Sequence, residues 1–309
     1  MACIVCSHLS YITMSVIATA KKSSFLQQKI ADYAQLVKVR LSFFVVFSAA
    51  MSYLWATNRN VDTQTIWLLS IGGFLITACS NILNQIIERK SDKLMKRTAN
   101  RPLPAGRMTV RETGFLALLT GLTGLWLLSQ INMVSSLLGL LAIVMYAGVY
   151  TPMKKVSSVA IIPGAIAGSI PVIIGWTAAF GTIQAEAIQL FGIQFIWQFP
   201  HTWSIAWLLN DEYNKAGLKM LPLQTKSKTA AILIFVSTFL IIPSVLLLYM
   251  YESAGIHVTW VLAAAAVLMM LLSYKFYVKR TDKAAVALML SCFAFLPFLL
   301  ITLVIEKFL

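Results

Sequence analysis

Asn84, Glu88 and Asp92 recur at every fourth position near the end of a long apolar segment. On an α-helix that spacing puts the three on one face, with neighbours about 6 Å apart along the axis. An amide and two carboxylates so arranged suit a hard divalent cation such as Mg²⁺, which takes oxygen ligands and often completes its shell with phosphate. A solvated helix end with chance spacing would give the same pattern. The following loop, Met95-Lys-Arg-Thr-Ala-Asn-Arg-Pro-Leu-Pro-Ala-Gly106, tips the balance, because Lys96, Arg97, Arg101 and Arg107 crowd it and its flank. Guanidinium forks bridge phosphate oxygens in pairs, so acids followed by arginines describe a diphosphate site. Topology and attraction to anionic lipid explain some of these cations, but they do not require the acids.

A second acidic and basic set, Asp211-Glu212-Tyr213 with Lys215 and Lys219, ends a later apolar segment. Between the two sets, Tyr150 and Lys154 place a phenol and an ammonium at another span end, followed by Lys155. Taken alone, Tyr150 reads as an interfacial aromatic and Lys154 as a topology signal. Within the later segment, Trp197-Gln-Phe-Pro-His201 sets Gln198 and His201 where burial is costly without partners. They are helix-packing residues or a substrate-facing polar patch that reaches a haem. Gly164, Gly168 and Gly175 have the spacing of close helix packing, or leave space for a bulky flat ligand.

The elements that must position these groups are membrane helices. The chain is 59% hydrophobic and 12% charged over 309 residues, far from the balance of a soluble domain. Nine stretches approach the roughly 20 residues needed to cross a hydrocarbon core: 41–57, 66–88, 113–130, 133–150, 156–178, 187–209, 229–250, 257–275 and 284–305. The net charge of +14 would suit nucleic acid, but its placement argues for topology instead. Of the 25 Lys and Arg, only Arg59 and Lys307 fall outside the N-terminal segment and the even-numbered connections. The positive-inside rule then predicts a multi-pass protein of the inner (plasma) membrane with a cytoplasmic N-terminus and an external C-terminus. Residues 1–30 read as a poorly ordered extension without assigned function, in which Met14 is an alternative start, and residues 31–309 as one all-helical membrane domain. Cys3 and Cys6 form a lone CxxC, while Cys79 and Cys292 sit in apolar spans, so neither a disulfide framework nor a zinc site follows.

Together these residues resemble the UbiA-type intramembrane prenyltransferases, and within them the heme O synthase branch. The resemblance runs from about residue 30 onward. It rests on Asn84, Glu88 and Asp92 leading into Arg97, Arg101 and Pro102-Leu-Pro104; on Tyr150, Thr151 and Lys154; on Trp197, Gln198, Pro200 and His201; and on Glu212-Tyr213 with Ala216-Gly217 and Met220-Leu-Pro222. Glu88 and Glu212 stand where the family usually has Asp, which keeps the charge but lengthens the reach; Asp211 shares the second acidic role as an alternative. The resemblance implies helices ringed around a cavity, with Mg²⁺ held among Asn84, Glu88, Asp92, Asp211 and Glu212. The same residues, with Tyr150 and Lys154, would be catalytic, and Arg97, Arg101, Lys155, Gln198, His201 and Tyr213 would bind substrate. The implied reaction is farnesyl transfer from farnesyl diphosphate to a haem b vinyl group. The bilayer is the medium, a haem A synthase or an oxidase assembly factor is the implied partner, and nucleic acid is not. A quinone-precursor acceptor is the alternative within the class. A transporter is the alternative outside it, which would call for polar groups deep in several spans rather than gathered at one face.

Overall fold

The computed structural model describes residues 25–308, which are all-helical with short connections. The Cys3/Cys6 pair, Met14, Lys21, Lys22 and Leu309 lie outside the described residues. The first helix, α1 (Phe25–Val37), runs through residue 30, the boundary expected between extension and membrane domain. Its exposed face carries Leu26, Ile30 and Tyr33, an apolar stripe at i, i+4, i+7 that suits a helix lying on a lipid surface. Ion pairs tie α1 down: Asp32, buried, meets Arg107 at 2.9 Å, and Lys29 meets Glu112 at 3.5 Å. Lys38 then takes a left-handed conformation (φ 50°), which turns the chain into the first span, α2 (Val39–Thr57).

The next helix, α3 (Thr63–Asp92), starts at Asp62, whose carboxylate accepts from the N–H groups of Gln64 and Thr65. Its 30 residues make it about 45 Å long at 1.5 Å each, well beyond a hydrocarbon core of about 30 Å. The last turns, with Glu88 and Asp92, therefore reach the membrane surface as a consequence of length. Helix α4 (Val110–Ser129) opens with a capping box between Thr109 and Glu112 and packs antiparallel on α3. Its outward face, Phe115, Leu118, Leu122 and Trp126, is exposed and its inward face is Thr113, Ala117, Thr120, Gly121 and Gly124. Small residues inside and large apolar ones outside are the arrangement expected where lipid is the solvent.

Helix α5 (Met133–Ile143) runs on through a π-helical stretch, Val144–Tyr150, to a last turn at Thr151–Met153. Then follow α6 (Ile161–Phe180), α7 (Ala185–Leu208) and the short α8 (Asn210–Lys215). One more span is interrupted at Leu240 into α9 (Lys228–Phe239) and α10 (Ile241–Met250), and α11 (Ile256–Lys279) and α12 (Asp282–Phe308) complete the chain. Among the described residues eight helical segments are long and apolar enough to cross a membrane. The ninth expected span is α7, 24 residues and about 36 Å long, whose Gln189, Gln194, Gln198 and His201 dilute its hydropathy. Arg59, between the first two spans, donates to the Phe308 carbonyl at 2.7 Å. The C-terminus thus shares a face with the first connection, as an odd number of crossings requires. Helices α2, α3, α6, α7 and α12 and the π-helical stretch surround one cavity, with α12 returning to pack on α2.

Candidate active site

The site forms where the end of α3 meets three other segments. Asn84, Glu88 and Asp92 are all buried. The Asn84 amide nitrogen donates to Glu88 Oε2 at 2.8 Å and to Thr151 Oγ1 at 3.0 Å, while Lys38 Nζ lies 3.4 Å from Asn84 Oδ1. Lys154 Nζ approaches Glu88 Oε1 at 2.5 Å, and Arg101 Nη1 donates to Asp92 Oδ2 at 2.8 Å. The loop after α3 is wound tightly enough to bring Arg101 back: Thr98 Oγ1 donates to the Asp92 carbonyl at 2.8 Å, and the Arg101 N–H to the Thr98 carbonyl at 3.0 Å. Asp92 Oδ1 and Arg97 Nε are buried without a hydrogen-bond partner.

The second acidic set arrives from α8. Asp211 is exposed, whereas Glu212 is partly buried with Oε2 enclosed and unpartnered. The segment is fixed to the first half of the site by backbone, since the Lys219 N–H donates to the Lys154 carbonyl at 2.7 Å. Tyr213 is buried close by and acts electrostatically on Lys154.

Cations outnumber anions here. Burial works against the Lys154 ammonium, but the neighbouring Glu88 carboxylate outweighs it and raises its pKa above the ordinary lysine value. Lys38 has no such dedicated partner: burial first, and then the Arg101 guanidinium, push it down to about 7. Lys38, Lys154 and Arg101 face Glu88 and Asp92, so a further anion is the missing counter-charge. The unpartnered oxygens of Asp92 and Glu212 are the complementary feature, since a buried carboxylate oxygen without a donor is costly unless a cation joins it. Among the described residues no three His, Cys, Asp or Glu side chains converge on one point. The residues fit a Mg²⁺ ion held by one or two carboxylates with phosphate and water completing the shell, not an all-protein cage.

Beside this charged rim lies an apolar cavity, about 1460 Å³ of space between the helices when counted out to its open mouth. Its walls are apolar, with Phe44, Tyr146, Tyr150, Pro171, Phe293 and Pro297 among them. Tyr150 sits between the two regions: Lys154 Nζ stands 4.5 Å from its ring centroid, and the ring covers Gly164 so closely that a Cβ there would lie 2.9 Å from it. Helix α7 contributes the polar stripe Gln194, Gln198 and His201. A Cβ on Gly168 would come within 2.3 Å of Gln198 Nε2, so the glycine makes room for that amide. Gly175 has the other role: its Cβ would meet the Ala49 carbonyl oxygen at 2.0 Å, so there the small residue brings α2 against α6.

The chain matches the UbiA prenyltransferase family over residues 45–299. It belongs to that family. Its curated relatives include a protoheme IX farnesyltransferase of Cytophaga hutchinsonii, 42% identical over 89% of this chain and 97% of the relative. Another of that name, from Flavobacterium psychrophilum, is 38% identical over 90% and 95%. Solved structures share the fold at low identity. A digeranylgeranylglyceryl phosphate synthase superposes with a TM-score of 0.77 at 17% identity, over 91% of this chain and 99% of that one. A UbiA homologue from Archaeoglobus fulgidus bound to GPP and Mg²⁺ gives 0.66 at 18% identity, over 87% and 99%.

In this UbiA family chain the structure brings Asn84, Glu88, Asp92, Arg101, Tyr150, Lys154 and Tyr213 to one region, with Glu212 beside Tyr213 on α8 and Arg97 in the loop after α3. Gln198 and His201 line the adjoining cavity, and Lys155 and Asp211 are exposed. Three residues escaped sequence reasoning. Lys38 looked like one more topology cation; only its left-handed turn aims it at a helix 46 residues away. Thr151 sits in a quoted motif, yet its use depends on the π-helical stretch: Oγ1 donates to the Tyr146 carbonyl at 2.8 Å and accepts from Asn84. Gln194 lies one turn before Gln198, a spacing readable in the sequence, and donates to the Gly168 carbonyl at 2.8 Å.

Proposed function

We propose that this chain transfers the farnesyl group of farnesyl diphosphate to a vinyl substituent of haem b, giving haem O. The observation that carries the reading is a cation-rich rim with unpartnered carboxylate oxygens that adjoins an apolar cavity at Tyr150. The name shared by its curated relatives supports haem as acceptor. Arg97, Arg101, Lys154 and Lys38 bind the diphosphate oxygens. Asp92, Glu88 and Glu212, with Asn84, hold Mg²⁺; of the two adjacent acids, the enclosed Glu212 is the ligand and the exposed Asp211 supplies field. When bound, Mg²⁺ neutralises charge that develops on the departing diphosphate. Arg101 and Lys154 do the same from fixed positions, so little reorganisation is needed as the C–O bond lengthens. Tyr150 and the apolar walls keep water from the allylic cation, and Gln198 and His201 orient the porphyrin so that its vinyl carbon faces that cation. The product leaves through the bilayer toward a haem A synthase or an oxidase assembly factor. Incubating membranes with haem b and farnesyl diphosphate and analysing products by mass spectrometry tests the assignment. Haem O is expected; efficient prenylation of 4-hydroxybenzoate with no haem O would leave only the family standing.

Both acids of α3 are ion-paired, Glu88 with Lys154 and Asp92 with Arg101. Phosphate oxygens that take up Lys154 and Arg101 would free Glu88 and Asp92 to hold a metal, so binding of the two should be coupled. Titration calorimetry should show Mg²⁺ affinity rising at least ~10-fold when pyrophosphate is present, within the usual range for coupled sites. Equal affinity with and without pyrophosphate would contradict the exchange.

The charged rim faces the cytoplasm in this reading. Reporter fusions after Gly106, Lys155 and Lys226 should behave as cytoplasmic and a fusion at Leu309 as external, and an external signal at Gly106 would reverse the orientation.

A further inference from the structure

The hydroxyl of the proposed product raises a question that the diphosphate site does not answer. Once the vinyl π pair has bonded the farnesyl carbon, the cationic carbon beside the porphyrin must gain an oxygen from water, and that water must lose a proton. The step takes place in the cavity, away from the carboxylates. None of the described residues that line the cavity is a carboxylate, a lysine or an arginine; its polar groups are hydroxyls, amides, an indole N–H and one imidazole. Amides and hydroxyls are poor proton acceptors, whereas a neutral imidazole offers one basic nitrogen.

That imidazole is His201. It is 3% exposed, and its Nδ1 is buried without a hydrogen-bond partner. Packing holds the ring instead: Trp197 stacks on one side with centroids 4.6 Å apart and planes 10° from parallel, and Phe293 presents an edge at 4.8 Å and 86°. Trp197 is itself anchored, its indole N–H donating to the Cys292 carbonyl at 2.9 Å. The ring is thus oriented without using Nδ1. A residue kept only for helix packing would normally have that atom satisfied.

Resting on the haem reading above, we propose that His201 is the proton acceptor of the hydration step, taking a proton from water at Nδ1 as the water oxygen bonds the cationic carbon. The atoms balance. The farnesyl C–O bond breaks with its pair leaving on diphosphate, the vinyl pair forms the new C–C bond, and water supplies the C–O bond. The proton taken by His201 passes on to the released diphosphate. Without His201, the cation instead loses a proton from its neighbouring carbon to the released diphosphate, which gives a prenylated porphyrin one water lighter.

The test is the ratio of these two products, which does not depend on how much enzyme is folded. His201→Gln and His201→Asn in membranes, supplied with haem b and farnesyl diphosphate, should shift the ratio of dehydrated to hydroxylated product by about 10²-fold, the lower end of what a positioned base contributes. Added imidazole should restore the hydroxylated product to His201→Ala. An unchanged ratio in both variants overturns the proposal, even if total turnover or haem binding falls. So does the absence of any prenylated porphyrin from variants that still bind both substrates, since that would leave His201 an orienting role alone. If the unaltered protein makes no haem O at all, the failure belongs to the haem reading and not to His201.

Discussion

Replacing Asp92 with Asn should lower farnesyl transfer by at least ~10²-fold, the loss expected when one preorganised electrostatic group is removed, while the protein stays folded in membranes. Asp92 is fully buried at the end of α3, with one oxygen on Arg101 and the other unpartnered. Asparagine has nearly the same shape and keeps an oxygen for the guanidinium, so the loop that carries Arg101 has no reason to move. Only the negative charge is lost, and with it the attraction for a divalent cation. Turnover measured beside a thermal melt separates the two effects. A lost melt with lost activity would make Asp92 a folding residue, and normal turnover would remove it from the site. Activity undiminished in EDTA would tell against the metal itself.

Gly175→Ala should deplete folded protein more severely than any other single methyl addition among the described glycines. The added carbon would lie 2.0 Å from the Ala49 carbonyl oxygen, 2.9 Å from its carbon and 2.9 Å from Ser52 Cβ. Two of the three are backbone, which cannot swing aside, and Ser52 is already committed to the Val172 carbonyl at 2.6 Å. Relief requires α2 to separate from α6, which opens the wall of the cavity. Overpacking typically costs about 1–3 kcal/mol and occasionally more, and this position belongs at the upper end. Gly192 is the control: it sits in the interior of α7 with nothing within 4 Å of an added Cβ. Gly192→Ala should be neutral or stabilising by about 0.5–1 kcal/mol, because alanine is the better helix former. Melting both variants in detergent checks the contrast, and equal melting temperatures would show that the α2–α6 contact is not tight.

The sequence by itself determined the solvent, the number of crossings and the acids. Those follow from local quantities: run length against bilayer thickness, the alternation of basic loops, and the four-residue period of Asn84, Glu88 and Asp92. The same locality explains why α7 was legible as a span despite its glutamines, since its flanking lengths still match a membrane. Only the tertiary structure decided which groups share the site. Lys38, Thr151 and Lys154 meet α3 across separations of 46, 67 and 66 residues, and no periodicity encodes such meetings. They depend on a left-handed break before α2, a π-helical stretch after α5 and one backbone hydrogen bond from Lys219. The glycines show the limit most directly. Gly168 and Gly175 look alike in sequence, a small residue at helical spacing, yet one abuts a movable amide and the other a fixed carbonyl. What a missing side chain makes room for is a property of the neighbour, and the neighbour is set by the packing of helices.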